Sequence, residues 1–172
     1  MKRLVLALAI AAAVTVSGHA LAATSAPAVM VVSATVVSSC LVTALPLTFG
    51  LYRATDAANT TATTSVGVLC TGTSTATVKL DHGLFAEGTT RKMGFGTDRL
   101  SYNLFQPVSG VAGAACAYTV PFADGLGGFG AGLPITGVTV TPQLWNVCGS
   151  IPTGQNAAIG AYADTVQVTV EF

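Results

Sequence analysis

The chain of 172 residues has seven basic and seven acidic side chains, so charged residues make up 8% of it and apolar residues 51%. So little charge excludes the basic patch that a nucleic-acid-binding protein needs, and so apolar a composition excludes a disordered chain. The length fits one domain. A surface this poor in charge suits a protein whose faces are covered by neighbouring molecules.

The first residues have the pattern of an export signal. Lys2 and Arg3 precede an apolar run over residues 4–16, and residues 20–22 form a small-residue cleavage motif. We expect cleavage after Ala22, which would leave five basic and seven acidic residues in an exported protein. The apolar run is too short to span a membrane.

Residues 25–40, "SAPAVMVVSATVVSSC", alternate as a β-strand does. One face of this predicted strand is wholly apolar, whereas the other mixes valines with Ser33 and Thr35. The apolar face includes Ala28, Met30, Val32, Ala34 and Val36. Such a strand would be an exposed, sticky edge unless another strand paired with it.

Further strands are predicted along the rest of the chain, and no amphipathic helix is. They are residues 65–70, 75–83, 99–106, 116–122, 136–144 and 164–172. In the last of them an apolar face alternates with polar residues, and that face consists of Val166, Val168, Val170 and Phe172. Residues 54–65 are predicted to be a polar connection and residues 123–134 a glycine-rich loop. Short strands without helices predict an all-β sandwich.

The four cysteines are Cys40, Cys70, Cys116 and Cys148. An even number in an exported chain predicts two disulfides, for which three pairings are possible. We favour Cys40–Cys70 and Cys116–Cys148 because these pairs link neighbouring strands. A zinc site is the alternative, but the cysteines form no C-x-x-C pair and His82 is the only histidine after residue 22.

No set of residues predicts catalysis, a cofactor or a metal ion. Residues 125–130 spell G-x-G-x-x-G, but a strand-like segment follows where a dinucleotide site needs a helix. Asp81 and His82 read as a turn after a strand, and Trp145 as a packing residue. We therefore expect no enzyme, no catalytic, cofactor-binding or metal-binding residues, and no small-molecule substrate.

Four segments together resemble the spore coat protein U domain family, which includes the pilins of archaic chaperone–usher pili. The first is Cys40 with "FGLY" at residues 49–52, and the second is "VGVLCTGTSTATVKLDHG" at residues 66–83. The third is "RKMGFGTDRLSYNLF" at residues 91–105, and the fourth is residues 148–172, which end in "DTVQVTVEF".

The resemblance implies an incomplete immunoglobulin-like β-sandwich that a neighbouring subunit completes by donor-strand exchange. Residues 1–22 would be the signal peptide, residues 23–38 the donor strand, and residues 39–172 the pilin domain. The apolar face from Ala28 to Val36 would enter a neighbour's groove, which the face from Val166 to Phe172 would border.

The implied function is that of a structural subunit of a surface pilus that serves adhesion and biofilm formation. Its partners would be further copies of itself or other pilins, a periplasmic chaperone and an outer-membrane usher, on a route through the periplasm to the cell surface. Two alternatives stay open. A tip adhesin would bind a surface or glycan through its loops, and a non-polymerising coat or envelope protein would keep its first strand for itself.

Overall fold

The computed structural model describes residues 28–172, so the predicted signal peptide lies outside the described residues. The chain divides into two units, Met1–Ala34 and Thr35–Phe172. In the first unit, residues 28–34 have no regular secondary structure, and the side chains of Val29, Met30, Val31 and Val32 are 81 to 92% exposed. The second unit starts with four more residues outside any strand. Residues 28–38 therefore belong to none of the strands in the described part of the chain.

The second unit contains nine strands, and residues 28–172 include no helix. The strands are β1 (Ser39–Ala44), β2 (Thr60–Thr71), β3 (Thr75–Leu80), β4 (Arg91–Phe95), β5 (Asp98–Pro107), β6 (Cys116–Pro121), β7 (Leu133–Thr136), β8 (Gln143–Ile151) and β9 (Val168–Glu171). The described part of the chain accordingly has no helix long and apolar enough to cross a membrane.

The strands form two antiparallel sheets. The larger sheet has the order β1-β2-β8-β5-β4, and β6 also pairs with β5. The smaller sheet has the order β7-β3-β9. The prediction of an all-β sandwich is confirmed.

The core lies between the sheets and is built from alternate residues of the strands. Val66 and Val68 of β2 contribute to it, as do Val78 of β3 and Leu104 of β5. Trp145 of β8 is only 1% exposed, and its indole N–H donates to the Gly110 carbonyl at 2.9 Å. This bond satisfies the one polar atom of a large core side chain.

Two disulfides are present, as predicted. One joins Cys40 to Cys70, which are directly opposite in the β1–β2 ladder with their Cα atoms 4.1 Å apart. The other joins Cys116 of β6 to Cys148 of β8, at a Cα separation of 5.7 Å. They close loops with sequence separations of 30 and 32 residues. Each therefore restricts the unfolded chain by a similar amount.

Three predictions of local structure were wrong. β2 begins at Thr60, inside the segment predicted to be a polar connection, because its β-branched threonines pair with β8. Residues 136–144 are not one strand, since Gly137 adopts a left-handed φ of 72° and a turn separates β7 from β8. The last strand begins at Val168 and not at residue 164.

Candidate functional site

A groove of about 940 Å³ opens along one side of the sandwich, within the second unit. Its floor consists of core side chains from four strands: Val66 of β2, Leu80 of β3, Leu100, Tyr102 and Leu104 of β5, and Val147 and Ile151 of β8. The groove therefore borders the hydrophobic core, and the side chains of its floor are only 1 to 4% exposed.

The first edge of the groove consists of residues 44–52 and Ala54, which run on from the last residue of β1. Leu47 and Phe49 turn inward from this edge and pack against the core. They rest on Gly149 of β8, where a Cβ atom would lie 2.6 Å from Leu47 Cδ2 and 2.7 Å from Phe49 Cζ. Phe49 also meets the ring of Tyr102 edge-on, with centroids 6.2 Å apart. The missing side chain at Gly149 thus makes room for this edge.

The second edge consists of residues 157–168, which lead into β9. Ala163 exchanges two main-chain hydrogen bonds with Gly94 of β4, at 2.9 and 3.1 Å, and Tyr162 packs against Phe95. Asp164 links this edge to the floor of the groove, because its carboxylate accepts a hydrogen bond from the Tyr102 hydroxyl at 2.7 Å. The same carboxylate accepts the Leu84 N–H at 2.8 Å.

The hydroxyl of Tyr102 stays protonated in this setting. Burial raises the pKa of Tyr102 far above its ordinary value, and its hydrogen bond to the Asp164 carboxylate raises the pKa further. The neutral hydroxyl can therefore donate to Asp164 throughout the physiological pH range.

Both edges have main-chain groups without main-chain partners. In the described structure, residues 46–52 and 157–162 make no hydrogen bonds between main-chain groups, either within the edges or to the sheets. Leu45 still bonds to Ser65, and the Ala163 pair closes the other edge. Main-chain N–H and C=O groups that lack main-chain partners, beside an apolar floor, are the features that an added β-strand uses.

Of the four residues predicted to border the groove, two line it, and all five residues predicted to form the donor face are exposed. Val166 and Val168 line the groove, Val170 packs on the core, and Phe172 is 58% exposed. The residues predicted to be the donor face are exposed in the described chain: Ala28, Met30, Val32 and Ala34 of the first unit and Val36 of the second.

Sequence reasoning missed the floor of the groove and most of its two edges. The floor residues lie far apart along the chain, so no local pattern marks them as one surface. Besides the alternation that marks Val166 and Val168, the local sign of the second edge is residues 157–163, "AAIGAYA", in which five of seven residues are alanine or glycine and suit close approach of another backbone.

A second polar cluster joins the end of β3 to the glycine-rich loop. His82 Nε2 lies 3.0 Å from Asp124 Oδ1, and the imidazole stacks on Phe129 with ring centroids 3.8 Å apart. Burial alone would raise the pKa of Asp124, but hydrogen bonds from the Leu126 N–H and from His82 outweigh it, so the pKa is lowered. These contacts hold the loop in place. Within residues 28–172, no group of three or more potential ligand side chains could hold a metal ion.

Comparison with known proteins identifies the family. The family model of the Spore Coat Protein U domain matches residues 26–169. Protein U of Myxococcus xanthus is 36% identical over 118 residues, which cover 64% of this chain and 59% of that protein.

A solved structure has a similar fold. It is the crystal structure of the CsuC-CsuE chaperone-tip adhesion subunit pre-assembly complex from the archaic chaperone-usher Csu pili of Acinetobacter baumannii. One of its chains matches with a TM-score of 0.57 and 25% identity, over 80% of this chain and 40% of that chain. This chain thus spans less than two thirds of either relative. Because the family match extends over most of its residues, the chain belongs to the Spore Coat Protein U domain family.

Proposed function

We propose that this protein is a structural subunit of a surface pilus of the archaic chaperone–usher type. Residues 39–172 form the pilin domain, and residues 23–38 are a donor strand that fills the groove of a second subunit. The observation that supports this most directly is the groove itself, because its floor is the core and both its edges have unpaired main-chain groups. An added strand would complete the sandwich.

The proposed donor has the pattern that such a groove requires. Its apolar face, from Ala28 to Val36, could bury side chains worth about 5 to 12 kcal/mol in total. Ordering about ten residues costs a free energy of similar size. Main-chain hydrogen bonds to the two edges therefore decide the balance, and a preformed groove reduces the cost of binding.

A donor and a groove on one chain produce a head-to-tail contact. Such a contact does not close on itself, so repeated addition gives a filament. The solved relative is a complex of a chaperone with a pilus subunit, which supports a periplasmic chaperone as a partner that covers the groove before assembly. An outer-membrane usher, other pilins, display at the cell surface, and a role in adhesion and biofilm formation complete the proposal. It assigns this protein no enzymatic activity.

A tip adhesin is the second candidate, and one observation favours it: the solved relative contains a tip adhesion subunit. A tip subunit accepts a strand but donates none. Immunogold labelling separates the two roles, because a structural subunit labels along the fibre and a tip adhesin only at its end.

The donor strand is tested with Val32→Asp, expressed in the native host with its chaperone. A charge placed in an apolar groove without a partner is costly. We expect no fibres, whereas folded, chaperone-bound monomer persists because the donor completes another molecule's core. The matched control is Ser33→Asp, which puts the same charge on the opposite face of the strand and should still give fibres.

Normal fibres from Val32→Asp would refute the donor role. Loss of the folded monomer together with the fibres would show instead that residues 23–38 pack within their own domain, as in a non-polymerising coat protein.

A further inference from the structure

Two large apolar side chains stand at the rim of the groove, one on each edge. Leu51 belongs to the first edge and is 79% exposed, and Ile159 belongs to the second edge and is fully exposed. Neither packs in the core cluster that forms the floor. Exposed leucine and isoleucine on opposite sides of one groove indicate that something apolar lies between them when the groove is filled.

The proposed donor strand also has valines on the face that would be turned away from the floor of the groove. On the opposite face, Val29 and Val31 are followed by the polar residues Ser33 and Thr35, and then by Val37 next to β1. A strand covered on one face needs apolar residues on that face only. The outward face of the donor is therefore apolar at two successive positions, Val29 and Val31, as in a strand covered on both faces, before Ser33 and Thr35 interrupt it.

Both rim residues belong to edge segments that no main-chain hydrogen bond joins to the sheets. Residues 46–52 and 157–162 make no main-chain to main-chain hydrogen bonds within the described structure. Each rim residue is also next to a glycine: Gly50 precedes Leu51 with a φ of 75° and open space where a Cβ would be, and Gly160 follows Ile159. Segments that main-chain hydrogen bonds do not hold to the sheets can shift when a strand binds between them.

We propose that Leu51 and Ile159 form a clasp that closes over the outward face of a bound donor strand, at Val29 and Val31 of a second copy of this chain. The inference rests on the proposed function and extends it. The proposed function concerns the face of the donor strand that is turned to the floor of the groove, whereas the clasp concerns the opposite, outward face. The clasp excludes water from the main-chain hydrogen bonds at the edges. It therefore acts mainly on the rate of dissociation.

The clasp is tested by the dissociation of a fluorescent peptide of residues 23–38 from the chain comprising residues 23–172, at protein concentrations too low for self-association. We expect Leu51→Ser with Ile159→Ser to speed dissociation about tenfold. A peptide carrying Val29→Ser and Val31→Ser should dissociate faster to a similar extent. Combining the altered peptide with the altered chain should add little, because partners in direct contact are not additive.

The matched control is Val140→Ser, because Val140 is similarly exposed, at 66%, and does not line the groove. This control should leave dissociation unchanged. Urea unfolding should be the same for the original and the clasp variant, which separates loss of the clasp from loss of the fold. Equal dissociation rates for the two chains would overturn the clasp and leave the donor strand intact, whereas failure of the unaltered peptide to bind would overturn the donor function and the clasp together.

Discussion

Tyr102→Phe removes one hydroxyl from the floor of the groove and should destabilise the chain in a pH-dependent way. The hydroxyl donates to the Asp164 carboxylate at 2.7 Å, and the tyrosine is 3% exposed. A hydrogen bond to a charged group contributes about 1.5 to 3 kcal/mol to stability. Asp164 keeps the Leu84 and Thr165 N–H donors in the variant, so we expect a loss of about 1.5 kcal/mol at pH 7, at the lower end of that range.

The loss should shrink at alkaline pH. The pKa of Tyr102 is raised in the folded protein, so folding favours the protonated phenol and its stabilising effect is complete below the ordinary pKa of about 10. Above that pH the unfolded state loses the proton first, and the stability of the original protein falls. At pH 10.5 linkage removes about 0.8 kcal/mol from the original protein and nothing from the variant, which has no phenol at this position.

The assay is equilibrium urea unfolding of the chain comprising residues 23–172, with its disulfides intact, at pH 7.0, 9.0 and 10.5. The difference in unfolding free energy between the original protein and Tyr102→Phe should be constant from pH 7 to 9 and then fall by about half. A difference that stays constant up to pH 10.5 would show that the phenol titrates normally in the folded state, and it would refute the buried hydrogen bond to Asp164.

Two further predictions concern the framework of the groove. Replacing Cys40 and Cys70 with alanine, or Cys116 and Cys148, should lower the free energy of unfolding by about 3.6 kcal/mol for either pair, because the loops are of nearly equal length. A loss below 1 kcal/mol for either pair in urea unfolding would contradict that account. Gly149→Ala should cost about 1 to 3 kcal/mol, because the added methyl displaces Leu47 and Phe49. It should also weaken binding of the peptide of residues 23–38, and unchanged unfolding and binding would count against the role of Gly149.

Strands with one buried face could be predicted from the sequence, and strands buried on both faces could not. The prediction of residues 99–106 came within one residue of β5 at each end, because Leu100, Tyr102 and Leu104 alternate with more polar neighbours. β8 was missed because it lies inside the larger sheet and is buried on both faces from Val147 to Ile151. Such a strand has no alternation to detect.

β4 was hidden for a different reason. It begins with Arg91, which looks like a surface residue in a sequence but is buried here. Its guanidinium donates to the carbonyl groups of Leu80 and Asp81, at 2.6 to 3.3 Å. These partners come from the end of β3, and only the folded chain brings them to the arginine.

The proposed donor could likewise be predicted from the sequence, whereas most of the groove could not. The donor is one continuous segment, so its apolar face could be predicted from alternation alone. The groove depends on what is absent, because in the described structure residues 46–52 and 157–162 of its two edges have no main-chain hydrogen-bond partners. A sequence pattern records the residues that are present, so it could indicate Val166 and Val168 on one border but not the floor or the opposite edge.

In the fibre proposed above, the position of the Cys40–Cys70 disulfide would determine how each domain bears mechanical load. In a fibre held end to end by donor strands, tension enters each domain at Ser39, and β1 is an edge strand paired only with β2. A strand pulled from its end peels away one residue pair at a time. Here only the Ser39–Thr71 pair precedes the disulfide, so the covalent bond passes the force at once to β2, which is held on both sides by β1 and β8. In the proposed fibre, reduction of this disulfide would leave β1 held to β2 by its hydrogen-bond ladder alone, so tension could separate the two strands one residue pair at a time.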